Sequence, residues 1–194
     1  MPFQHPQALY HQNPVLLSRL IWIYLKYEIC LSPHQCRGRP YGCPSDNRKK
    51  LAGFAQPASF RSYSIVATMN GEDYQHTEPY TVRRESQIRI PSGKFVFMDD
   101  YDCRSFNMGS WIFTYDEGGG HRFFDPIGVW HFKKGNFSYA DGHTEMRSWK
   151  DYRTHQYAKY MVFGYSEDEI TNDEACDGNP DVLFLANGFK AKAR

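Results

Sequence analysis

Chemistry-bearing side chains crowd one stretch of this chain: His131, Ser138, Asp141, His143 and Glu145. If the segment folds as paired strands, His131, Ser138 and Glu145 fall in one transverse row, with strands about 4.8 Å apart. A histidine, a serine and an acid are the residue types of a nucleophilic triad. Ser138, however, sits in mid-strand rather than on a strained elbow, and no oxyanion hole is visible, so the row reads as a surface feature. His131, Asp141, His143 and the acids at 99–102 also offer the donor types of a metal-dependent hydrolase. Asp99, Asp100 and Asp102, beside Cys103, read more plainly as strand-end acids that accept bonds from backbone amides. Residues 166–181 carry seven acids and no base, a solvated acidic loop or a cation site.

The elements that must position these groups follow from pattern. Val129–Phe132 and Phe137–Ala140 read as strands joined by Lys133–Asn136, and Asp141-Gly142 as a two-residue turn into His143–Trp149. In that three-stranded meander, spanning 129–149, Phe132 faces Phe137, Trp130 faces Tyr139, Phe137 faces Met146 and Tyr139 faces Thr144. One face then holds Trp130, Phe132, Phe137, Tyr139 and Met146 as core. His131 and Asp141 fall on opposite faces. Ser62–Met69, Lys94–Met98 and Trp111–Tyr115 are further β-rich runs, Asn70-Gly71 is a turn signal, and Gly118–Gly120 marks a tip. Upstream, apolar residues at helical spacing within Pro14–Leu31 predict an amphipathic helix. Ser32–Asn47, punctuated by Pro40, Gly42 and Pro44, reads as an ordered loop. Residues 1–13 are expected to be disordered.

Composition bounds the rest. A chain of 194 residues is expected to form a single domain over 1–194, large enough to bury a core without staples. The fold class expected is α+β: the N-terminal helix packed on a mainly antiparallel sheet with long loops, the β-rich region covering 60–186. A net charge of +1 makes no electrostatic case for nucleic acid. The longest apolar stretch, Val15–Leu25, is interrupted by Ser18 and Arg19, so the chain as written is not expected to insert in a membrane. Cys30, Cys36, Cys43, Cys103 and Cys176 show no zinc-binding spacing. A Cys36–Cys43 disulfide is open to the chain in an oxidising compartment.

His131, nine residues, then Asp141-Gly142-His143, with Glu145 and Trp149 after it, resembles the H-x9-DG motif of prepilin-type, processing-associated bacterial proteins. These are similar to the major pseudopilins of type II secretion. Other stretches agree in order. Tyr41-Gly42-Cys43-Pro44-Ser45-Asp46 resembles the Cys-Pro-Ser box. Ile90-Pro91-Ser92 leads into Phe95–Asp99 like the central strand ending in an acid. Trp149, Asp151, Arg153 and Thr154 follow the motif, and Asn179-Pro180-Asp181 resembles the C-terminal Asn-Pro-Asp box. The set spans roughly 14–186.

The resemblance implies a non-enzymatic structural subunit of the cell envelope, on the periplasmic side of the inner membrane in full-length relatives. Its partners would be other pseudopilin-like subunits or secretion components. His131, Asp141, Gly142, His143, Trp149, Cys43, Pro44, Asn179, Pro180 and Asp181 are then fold-signature residues. Relatives begin with a leader and an apolar anchor helix; their lack in the chain as written suggests a truncated or anchor-free form. Major pseudopilins bind calcium near the C-terminal end of the sheet, and Asp173, Asp177, Asn179 and Asp181 are the candidate ligands here. Asp177-x-Asn179-x-Asp181 starts like an EF-hand loop but has Val182 and Gly188 where Gly and Glu belong. A carbohydrate- or surface-binding β module is the competing reading. It needs an exposed aromatic platform, whereas the assembly reading needs most aromatics buried.

Overall fold

The computed structural model describes residues 43, 45, 62–70, 80–101, 110–163 and 170–190. Contacts divide the chain after Gly38, and every described residue belongs to the unit Arg39–Arg194. The helix expected at 14–31 and the disorder expected at 1–13 lie outside the described residues, as do Cys36, Pro44, Asp102 and Cys103.

In chain order the elements are β1 (Tyr63–Ile65), a helical turn α1 (Ala67–Asn70), β2 (Phe95–Asp99), β3 (Phe113–Thr114), β4 (Arg122–Phe123), β5 (Lys134–Tyr139), β6 (Thr144–Ser148), α2 (Tyr152–Phe163), α3 (Asn172–Cys176) and α4 (Pro180–Lys190). They form a four-stranded sheet in the order β1-β2-β5-β6, with every pairing antiparallel, and a two-stranded β3-β4 hairpin. Helix and antiparallel sheet therefore coexist as an α+β architecture requires. The strand read at Ser62–Met69 stops at Ile65 and turns helical at Ala67. Beyond Lys150 the described residues of the region expected to be β-rich carry helices and no strand.

Strand β2 is central because its Phe-Val-Phe-Met run is apolar on both faces, as a strand covered on both sides must be. Phe95 is the hub: its ring centroid lies 4.8 Å from that of Phe137, 5.3 Å from Tyr139 and 5.2 Å from Phe184 on α4. Each such ring contributes about 1.5–3 kcal/mol by leaving water. Helix α4 can come this close because position 188 is glycine; a Cβ there would stand 2.1 Å from the Phe95 ring. Helix α2 packs through Tyr157, stacked on Phe123 at 5.0 Å.

The meander is a hairpin rather than three strands. Residues 130–133 form a turn, with Phe132 at φ +53 and Lys133 at φ +63. Phe132 is 97% exposed, not a core partner of Phe137. The β5–β6 register is also one residue from expectation, pairing Phe137 with Glu145 and Ser138 with Thr144. The physical cause is the turn. Gly142 adopts φ +93, and the Tyr139 amide bonds the His143 carbonyl at 3.0 Å. Ala140, Asp141 and Gly142 thus make a three-residue loop closed by a left-handed glycine, and the extra residue slips the register. One slip exchanges faces: Met146, placed in the core by the two-residue turn, is exposed, and Glu145 and Arg147 share the side of Phe137.

Candidate functional site

Strand β5 separates the two halves of the His131–Asp141 motif. Its six residues span about 20 Å, and each end has its own polar cluster.

At the start of β5 the left-handed pair Phe132–Lys133 folds the chain back, with the Lys133 amide bonding the Val129 carbonyl at 3.2 Å. Non-glycine residues in this region cost about 1 kcal/mol each, so the surrounding contacts must hold them there. His131 Nε2 lies 3.4 Å from Cys43 Sγ and 3.7 Å from Asp99 Oδ2. Cys43 is a buried free thiol whose amide donates to Ser62 Oγ at 2.9 Å. Asp99 is buried, and its Oδ2 accepts the Asn136 amide at 2.8 Å and the Asn136 side-chain amide at 3.1 Å. Gly128 allows this approach, since a Cβ there would lie 2.3 Å from the Asp99 Cβ. The Gly128 carbonyl in turn accepts Trp149 Nε1 at 3.1 Å. Burial pushes the His131 imidazole below its usual range, an effect that Asp99 at 3.7 Å does not offset.

This cluster brings together a thiol, an imidazole and a carboxylate from three parts of the chain. It is not a relay. Thiol and carboxylate approach the same ring nitrogen, whereas a triad puts nucleophile and carboxylate on opposite nitrogens.

At the far end of β5, Asp141 Oδ1 accepts the His143 amide at 3.1 Å and meets His143 Nδ1 at 2.5 Å. The backbone amide and then the imidazole hold the Asp141 carboxyl below the usual carboxylate range. The His143 ring stacks on Tyr139 at 4.1 Å, and the Tyr139 hydroxyl donates to Glu145 at 2.8 Å. Burial is the main reason that this hydroxyl titrates above its normal value. His131 and Asp141 do not meet. The His131–Ser138–Glu145 row is dissolved by the turn at 130–133 and by the register slip.

The C-terminal motif residues form a third cluster. Asp181 is fully buried and accepts the Lys150 amide at 2.8 Å, the Asp151 amide at 2.9 Å and Thr154 Oγ1 at 3.0 Å. Asn179 Nδ2 donates to Thr154 Oγ1 at 3.0 Å and to the Ala175 carbonyl at 2.8 Å, while Asn179 Oδ1 accepts the Asp181 amide at 2.8 Å. Pro180 opens α4, where a missing N–H costs nothing. Arg153 pairs with Asp151 at 2.7 Å and donates to the Glu174 and Asp177 carbonyls at 2.8 Å each, closing the end of α3. Of the four candidate calcium ligands, Asp173 pairs with Arg122 at 2.6 Å, Asp177 is exposed, and Asn179 and Asp181 are engaged as described. Among the described residues no three His, Cys, Asp or Glu side chains gather as a metal-ligand group.

Sequence reasoning missed Lys94. Its side chain is fully buried, its Nζ donates to Thr68 Oγ1 at 2.5 Å and to the Phe189 carbonyl at the end of α4, and desolvation lowers its pKa to about 7. No local signal distinguishes it from a surface lysine.

No family model, no curated protein and no solved structure matches this chain.

Proposed function

We propose that this chain is a non-enzymatic structural subunit of a bacterial cell envelope, resembling the globular part of a type II secretion pseudopilin. The observation that carries the reading is how the motif residues are used. His131 links Cys43 to Asp99 at the end of β2, Trp149 ties the end of β6 to the Gly128 carbonyl, and Asn179 and Asp181 tie α4 to the start of α2. Asp141 and His143 close a hairpin. Side chains that a hydrolase would bring to one cleft are spread over both ends of a strand about 20 Å long. Aromatic burial supports the same reading over a surface-binding module: Phe95, Tyr101, Trp111, Phe113, Phe123, Phe137, Tyr139, Trp149, Tyr157 and Phe189 all lie in the interior. No helix among the described residues is long and apolar enough to cross a membrane. The test is fractionation of cells producing the protein at native level, followed by crosslinking in place. The proposal expects it in the envelope fraction, crosslinked to pseudopilin-like subunits. Recovery only in the cytosol, with no such crosslink, overturns it.

A further inference from the structure

We infer that β6 is a self-pairing edge, through which two copies of this chain join their sheets around a two-fold axis at Met146.

The two edges of the main sheet differ. On β1, the Ile65 carbonyl accepts the Trp111 amide at 2.7 Å, and Val66 bridges to Trp111, so that edge is already covered. On β6, Thr144, Glu145, Met146 and Ser148 are exposed, and Met146 is 56% accessible. The strand has no proline, no lysine and no bulge to block the edge, and its two charges, Glu145 and Arg147, are opposite in sign.

The direction of its backbone follows from the β5 ladder. The His143 carbonyl accepts from Tyr139, and the Trp149 amide donates to Lys133. Odd-numbered residues of β6 therefore point their backbone groups at β5. Those of Thr144, Met146 and Ser148 point outward, a row of donors and acceptors that a second strand can meet.

Charge favours a second copy and one register, although Arg147 also lies 3.7 Å over its own Phe184 ring and 3.9 Å from Asp181. Read from its centre, Thr144-Glu145-Met146-Arg147-Ser148 is self-complementary. In an antiparallel pair of two copies centred on Met146, each Glu145 stands opposite the second copy's Arg147, Thr144 opposite Ser148, and Met146 opposite itself. Centring on Glu145 or on Arg147 instead opposes like charges, which is destabilising. The Met146-centred register is also the one in which Met146, Thr144 and Ser148 exchange their outward amide bonds, and it covers both exposed methionines. An isologous contact of this kind closes as a dimer. Five residues a side make a small interface, so the dimer dissociates on dilution. The inference stands whether or not the protein works at the envelope.

Sedimentation of the full chain over a wide concentration range tests it, with circular dichroism to verify the fold of each variant. Wild type is expected to show a monomer–dimer equilibrium. Met146→Pro removes an outward N–H and no β5 bond, and should abolish the dimer. Glu145→Lys sets like charges against Arg147 twice and should weaken it by about tenfold. Under mild oxidation Met146→Cys should crosslink above the wild-type background, because facing Cα atoms of a bonded pair lie about 5.5 Å apart. Ser148→Cys should not, since the two copies of residue 148 stand about 14 Å apart along the strands. A monomer at every concentration, a dimer indifferent to Glu145→Lys, or equal crosslinking at 146 and 148 would overturn the inference.

Discussion

Asp99 and Asp181 are both buried aspartates that hold separate segments together, yet they do so with different partners. Asp181 is met by two backbone amides, a threonine hydroxyl and, at 3.9 Å, the Arg147 guanidinium, none of which changes charge in the physiological range. Asp99 is met by the amides of Asn136 and lies beside an imidazole that itself touches a thiol. The first is a fixed clamp. The second is a clamp whose surroundings titrate, and the comparison shows that equal burial of a carboxylate does not imply equal constancy of its environment.

The comparison breaks most visibly at Asp181. Asp181→Ala should lower unfolding free energy by about 3 kcal/mol, because two half-buried backbone amides and the buried Thr154 hydroxyl lose their acceptor together. Urea denaturation measures this, and a loss below about 1 kcal/mol would remove the clamp. Asp99→Ala orphans the Asn136 backbone and side-chain amides and should cost about 2–3 kcal/mol by the same measurement.

A buried cation sharpens the contrast. The Lys94 amine titrates near 7 in the folded chain and near 10.5 when unfolded. The unfolded chain therefore binds more protons between those values, and stability rises with pH there, by roughly 2 kcal/mol from pH 7 to pH 9. Lys94→Met should flatten that rise while Thr68 still donates to the Phe189 carbonyl at 2.8 Å. Denaturation midpoints across the range check it.

The smallest effect belongs to His131. Its folded pKa is depressed by burial, so the unfolded chain takes up the proton first as pH falls through about 6.5. Stability should drop in that window, and His131→Phe should remove the drop.

Sequence reading reached these clusters unevenly, for physical reasons. The central strand Phe95–Asp99 and the hairpin around Asp141-Gly142 were legible because apolar runs and Asp-Gly turns are local signals. The register was not, since a two-residue and a three-residue loop share the Asp-Gly dipeptide and a left-handed glycine, and differ at Asp141, which a two-residue turn would hold at positive φ and this loop does not. The turn at 130–133 was hidden because left-handed Phe132 and Lys133 are imposed by tertiary contacts that no pattern shows. The C-terminal helices had signals that went unused: Thr171 and Glu174 form a capping box, with bonds of 3.2 and 2.9 Å, and Pro180 at a first helical position announces α4. The meeting of Cys43 with His131, 88 residues apart, was beyond any local rule.

Amide hydrogen exchange at three positions tests the fixed and titratable clamps most directly. The Lys150 and Asp151 amides, held by Asp181, should exchange only through global unfolding, with protection that follows overall stability. Asn136, held by Asp99, should lose additional protection as pH falls through the titration of His131, and His131→Phe should abolish that extra loss. Faster exchange at Lys150 and Asp151 than in the β5 ladder, or an Asn136 profile unchanged by His131→Phe, would contradict the account.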